Sequence, residues 1–114
     1  MPSPVSRPHG QFHIRLSHWL QEYADATPGT ECFDAASTIL GAKSEPQPDL
    51  SLLISPEFGG QTASQGQYIQ GAPELIAEVA SSSEEFDLQA KKQDYERSGV
   101  REYLVVALRQ QKVF

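Results

Sequence analysis

Apolar and polar positions alternate along this chain with two periods, and the places where the period changes mark its elements. Residues 10–26, GQFHIRLSHWLQEYADA, carry apolar side chains at Phe12, Leu16, Trp19, Leu20 and Tyr23. That spacing predicts a helix with one apolar face, ended by Pro28-Gly29. ECFD (31–34) and STIL (37–40) are short strand candidates joined by Ala35-Ala36 or a slightly longer turn, a predicted hairpin. Beyond Pro46 and Pro48, DLSLLI predicts a strand beginning at Asp49. Residues 55–72 form a long polar stretch, a loop of a length uncommon in compact domains unless functional or mobile. Phe58, Gly59 and Gly60 within it are candidates for ordering on substrate binding.

ELIAEVA (74–80) returns to a strand period. Leu75, Ala77 and Val79 fall on one face, and Glu74, Ile76 and Glu78 on the other. Ser82 and Glu85 have the spacing of a capping box, FDLQAKKQDYERS continues as a helix, and Gly99 suits its C-cap. EYLVVAL (102–108) is a further strand, and QKVF starts another. The strand–helix–strand passage from 74 to 107 predicts a right-handed βαβ crossover. The fold class is therefore α/β, with a mixed central β-sheet flanked by helices. A length of 114 residues accommodates one domain, 1–114.

Charge and composition narrow the function classes. The net charge of −6 opposes extensive nucleic-acid contact, which relies on displacing counterions with Lys and Arg. The charge is unevenly spread. Residues 1–90 hold three basic and twelve acidic side chains, whereas 91–114 hold six basic and three acidic. An acidic body joined to a basic portion can bind a metal or a phosphate chain at the junction. No stretch approaches a membrane span and the start lacks a signal-peptide pattern, so a cytoplasmic location is expected. Cys32 is the single cysteine and reads as core filler.

Carboxylates on a short apolar strand raise the question of chemistry, because a buried carboxylate costs several kcal/mol unless paired. Asp49 opens one strand and Glu78 lies near the end of another. On neighbouring strands, about 4.8 Å apart, the two can converge on a hard divalent cation such as Mg²⁺. Lys91 can then orient the attacking water and offset charge in the transition state. Glu74, about 13 Å from Glu78 along an extended strand, reads as a water-exposed strand-edge acid. His9 and His13 have chelate spacing but no zinc-protease glutamate between them, and read as a polar helix start. His18 reads as a half-buried helix residue, and Ser81, Ser82 and Ser83 as capping residues.

The strings PDLSLLISPEFGGQ, QYIQGAPELIAEVASSS and FDLQAKKQDYERSGVREYLVV resemble the Uma-type restriction endonucleases, a bacterial branch of the PD-(D/E)XK nuclease superfamily. GAPELIAEV and the Asp-x3-Lys-x3-Tyr pattern of DLQAKKQDY carry the resemblance. It implies a restriction-endonuclease-like fold and a Mg²⁺-dependent DNA endonuclease, with Mn²⁺ as a substitute. Asp49 and Glu78 take the metal-binding acidic positions, and the Val79 carbonyl takes the place of a backbone ligand. The superfamily lysine, normally two residues after the second acid, falls on Ala80; the family's match is Lys91. Asp87 and Tyr95 take supporting positions, placing Lys91 and closing the site edge. Relatives are longer at both ends, which implies a shortened chain without one N-terminal acid of the site, and open sheet edges favouring a homodimer. Two other classes compete: a non-cutting nuclease fold that binds nucleic acid or protein, and a structural homo-oligomer whose acids hold an ion for stability.

Overall fold

The computed structural model describes residues 7–41, 46–63, 66–80, 90–107 and 112–113. The capping box at Ser82 and Glu85, the serines 81–83 and Asp87 lie outside these. Helix α1 spans Arg7–Ala26, and α2 spans Lys92–Ser98. The strands are β1 (Thr30–Asp34), β2 (Thr38–Ile39), β3 (Leu50–Ile54), β4 (Ile69–Gln70), β5 (Leu75–Ala80), β6 (Glu102–Ala107) and β7 (Lys112–Val113).

Five strands form one mixed sheet in the order β1-β3-β5-β6-β7. β5 and β6 are parallel neighbours, as the strand–helix–strand pattern predicted, and the remaining pairs are antiparallel. The expected hairpin between 31–34 and 37–40 is not formed. β1 pairs along its whole length with β3, Thr30 opposite Ile54 and Asp34 opposite Leu50. β2 leaves the sheet and pairs in parallel with β4, inside the stretch read as a loop. Turn chemistry accounts for the difference. Tight hairpins want Gly or Asn at positive φ, and Ala35-Ala36 offers neither. Ala35 instead takes φ 50° as a single kink, with its N–H donating to the Asp49 carbonyl at 3.0 Å.

Each face of the sheet buries its own cluster. α1 lies on the face of Leu50 and Ala77, which pack with Leu20, Leu16, Cys32 and Leu104. α2 lies on the other face, where Ile76 and Tyr95 pack with Ala72, Val100 and Tyr103. Burial within the first cluster, and then the charge of Asp34, push the Cys32 thiol up from its ordinary pKa. That fits a packing role.

The buried stripe of α1 differs from the one its apolar spacing predicted. Leu20 and Ala24 are buried and Leu16 is half-buried, but Phe12, Trp19 and Tyr23 are 41, 61 and 52 % exposed. The inward face is shared with His9, His13 and Ser17, which are half-buried. Of these, His9 and His13 face Asp49 and Asp34 at the acidic end of the sheet. His18 is exposed and pairs with Glu22 at 3.1 Å, one helical turn on.

The stretch 55–72 is pinned at several points. A single 3₁₀ turn, Pro56–Phe58, follows β3. Gly60 then folds back so that its N–H reaches the Ser55 carbonyl at 3.0 Å. A Cβ on Gly60 would collide with the Ile54 carbonyl. Gly60→Ala is therefore expected to cost about 1–3 kcal/mol, an overpacking penalty, readable as a lower urea midpoint at unchanged m-value. At the end of α2, Gly99 takes φ 96° and donates to the Glu96 carbonyl, the left-handed cap that the sequence suggested.

Candidate active site

The antiparallel pairing of β3 and β5 places Leu50 opposite Ala77. One step further along the same register, Asp49 comes beside Glu78 at the end of the sheet. Asp49 is held from several sides. Its Oδ2 accepts the Val79 N–H at 2.8 Å, and its carbonyl accepts the Ala35 N–H. His13 Nε2 lies 3.2 Å from the same carbonyl. The acid is thus locked to β5 by its side chain and to the β1 turn by its backbone.

Glu78 is buried, 4 % exposed, on the α2 face of β5. Burial on this scale demands partners, and the neighbouring helix provides them. The Tyr95 hydroxyl donates to Oε1 at 3.3 Å. Lys91 Nζ is 3.6 Å from Oε2 and is itself about one-third exposed. Lys91 sits on a wider, π-type turn at residues 90 and 91 that leads into α2. Tyr95 is 1 % exposed, packed edge-to-face on Tyr103 at 5.0 Å. The sequence reading made Tyr95 a support for Lys91; the structure puts its hydroxyl on Glu78 itself. Lys91, on the turn that leads into α2, and Tyr95, four residues on and inside α2, approach the same carboxylate.

Glu74 corrects the reading of a water-exposed acid. It is 5 % exposed, and its carboxylate binds backbone rather than solvent. Oε2 accepts the Ile54 N–H at 3.0 Å and Oε1 accepts the Gln61 N–H at 2.7 Å. The Gln61 amide goes on to the carbonyls of Ala72 and Gly99. Glu74 therefore fastens the end of β3 and the following loop to β5. It is separate from the Asp49–Glu78 group.

The polar helix start read at His9 and His13 is also revised, because α1 turns both toward the acidic end of the sheet. His9 Nε2 is 3.6 Å from Asp49 Oδ2, and His13 Nε2 is 3.1 Å from Asp34 Oδ1. Their i, i+4 spacing was the available signal, and what sequence could not supply was the rotation of the helix. The site is consequently approached from both sides of the sheet: α1 brings His9 toward Asp49, and the α2 side brings Lys91 and Tyr95 to Glu78.

Asp49 and Glu78 are the residues that could hold a cation, should one bind here. Two carboxylates on adjacent strands match the requirement of Mg²⁺, which takes one or two carboxylates and fills its other positions with water and phosphate oxygen. Among the described residues no three His, Cys, Asp or Glu side chains form a group that could hold a metal ion. No helix among them is long and apolar enough to cross a membrane.

Comparison with known proteins shows what the chain and its fold are similar to. The fold matches the "Crystal structure of a putative nuclease belonging to DUF820 from Anabaena variabilis ATCC 29413" with a TM-score of 0.74 at 15 % sequence identity. The match covers 99 % of this chain and 63 % of that one, so the chain spans less than two-thirds of the length of its structural neighbour. No curated protein matches the sequence. A family model described as "Uma2: Putative restriction endonuclease" matches residues 1–114, and the chain belongs to that family.

Proposed function

We propose that this protein is a divalent-cation-dependent nuclease that hydrolyses phosphodiester bonds of DNA at the cleft formed by Asp49, Glu78 and Lys91. One observation carries the reading: a buried carboxylate, Glu78, lies beside Asp49 in the strand register and within 3.6 Å of a lysine ammonium. Family membership and the nuclease fold support it.

Asp49 and Glu78 would hold the cation, with the Val79 carbonyl as a backbone donor. When bound, a Mg²⁺ or Mn²⁺ ion supplies positive charge to the phosphate oxygens and acidity to the attacking water. The chain's own groups do the rest. The Val79 N–H fixes one Asp49 oxygen, so the acid keeps its orientation without a substrate. The Tyr95 hydroxyl does the same for Glu78. Lys91 is exposed enough to reach a phosphate or water and close enough to Glu78 to be held at the site. Its ammonium can orient the attacking water and offset charge that develops on the phosphoryl oxygens. A net charge of −6 makes this local positive charge necessary for a polyanion to approach. Among the described strands β1 ends the sheet, and a homodimer would add its second copy at such an edge.

Incubation with supercoiled plasmid tests the reading. Nicked or linear product is expected with Mg²⁺ or Mn²⁺, and none with EDTA or with Asp49→Asn. Product that persists in Asp49→Asn overturns the assignment. Salt-dependent DNA binding by the wild type without product would instead make the protein a non-cutting binding module.

A further inference from the structure

We infer that the groove between α2 and β6 receives the DNA backbone beside the scissile phosphate, with Lys92 and Arg101 as the residues that position it. The inference rests on the nuclease reading above and adds a substrate-binding surface that the acidic motifs do not contain.

Strand register carries the groove to the site. β5 and β6 run parallel with Glu78 opposite Val105, so Val105 lies next to Glu78 on the α2 face. A cavity of about 360 Å³ extends from Val105 to Arg101, about 13 Å along an extended strand. Pockets for small ligands span about 300–1,000 Å³, so this space suits the sugar and phosphate of one strand. Its floor holds Tyr95 and Val105, each 1 % exposed. Val100 and the Tyr103 ring extend that apolar surface. Tyr95 joins it to the chemistry, because its hydroxyl donates to Glu78. Lys92 and Arg101 line the same cavity and are exposed. Among the described residues neither is engaged in an ion pair. Glu96 is the one carboxylate in the described lining, which leaves a local excess of positive charge on a chain of net charge −6. Consecutive lysines thus divide the work: Lys91 meets Glu78, and Lys92 faces the groove. Contacts from Lys and Arg to phosphates fix the register of a protein on DNA. An apolar floor flanked by two unpaired cations supplies them beside a surface for the sugar.

General surface charge also accounts for two exposed cations, and Arg97 separates the two accounts. It is exposed on the same helix but lies outside the groove. The test is binding of a labelled DNA duplex in EDTA, which prevents cleavage, across a series of salt concentrations. Each phosphate contact adds about 0.9 to the slope of log affinity against log salt. Lys92→Ala/Arg101→Ala is therefore expected to flatten the slope by about two and to lower affinity about tenfold or more at about 0.1 M salt. Arg97→Ala, with circular dichroism confirming the fold of each protein, is expected to leave the slope unchanged. Glu96→Gln removes no cation and is expected to tighten binding, so it tests the groove even where the double variant fails to fold. An unchanged slope in the folded double variant, an equal loss in Arg97→Ala, or no tightening in Glu96→Gln overturns the groove. Plasmid cleavage by the wild type alongside any of these leaves the nuclease reading standing. A flattened slope in a protein that cuts no plasmid supports the groove as a DNA surface and overturns the nuclease reading instead. No DNA binding by the wild type overturns the groove outright.

Discussion

Glu74→Ala is expected to lower folding stability by about 3 kcal/mol, the largest loss from any single carboxylate in the described structure. The substitution leaves two backbone donors, Ile54 N–H and Gln61 N–H, without the acceptor they share. A buried donor left unsatisfied costs about 1–3 kcal/mol; both of these hydrogen bonds are part-buried, and water entering the gap recovers part of that. Glu74→Gln retains one carbonyl oxygen and turns an NH₂ toward the other donor, so it should lie between the wild type and the alanine variant. Urea denaturation read by far-UV circular dichroism gives the difference directly. A loss below about 0.5 kcal/mol, the range of ordinary surface substitutions, would mean that Glu74 is the water-exposed edge acid its sequence position suggested.

That residue shows where sequence reading runs out. The alternation of ELIAEVA placed Glu74 and Glu78 on one face correctly. Both are buried, yet only one sits at the end of the sheet beside Asp49. The other is engaged by the loop after β3, and which backbone amides a loop brings to a carboxylate is a tertiary fact. The hairpin expected at 31–40 failed for a related reason. Local turn propensity said where the chain bends but not which strand β1 would meet, and β3 offered a full-length partner. Helix α1 was legible as a helix and misread in rotation, because its inner face mixes Leu16 and Leu20 with His9 and His13. The crossover from β5 to β6 and the Gly99 cap were legible, since strand period and capping are local signals. The nearness of Lys91 to Glu78 was suggested by family resemblance rather than by spacing; the structure adds the 3.6 Å separation and the Tyr95 hydroxyl beside it.

Lys91→Ala is expected to reduce DNA cleavage about 10²–10³-fold, the usual effect of removing one preorganised electrostatic group from a transition state. Cation binding should survive, because the lysine is not a donor to the ion and its loss removes a competing positive charge from Glu78. The combination is diagnostic. A fall in turnover with unchanged or tighter Mn²⁺ binding places Lys91 on the reacting phosphate or water. A parallel fall in both would make it a structural partner of Glu78. Lys91→Arg keeps the charge but changes its shape and hydration, and partial activity is expected. The readout is single-turnover cleavage of a labelled duplex, with Mn²⁺ affinity measured on the same protein preparations. Unchanged cleavage in Lys91→Ala would remove the lysine from the mechanism.

The central claim is that Asp49 and Glu78 together hold a divalent cation at the end of the sheet. Isothermal titration of Mn²⁺ and Mg²⁺ into the wild type and into an Asp49→Ala/Glu78→Ala double variant tests it most directly, with circular dichroism confirming that the variant is folded. Saturable binding by the wild type that is absent from the folded variant is the predicted result. Equal binding by both proteins, or none by the wild type, would contradict it.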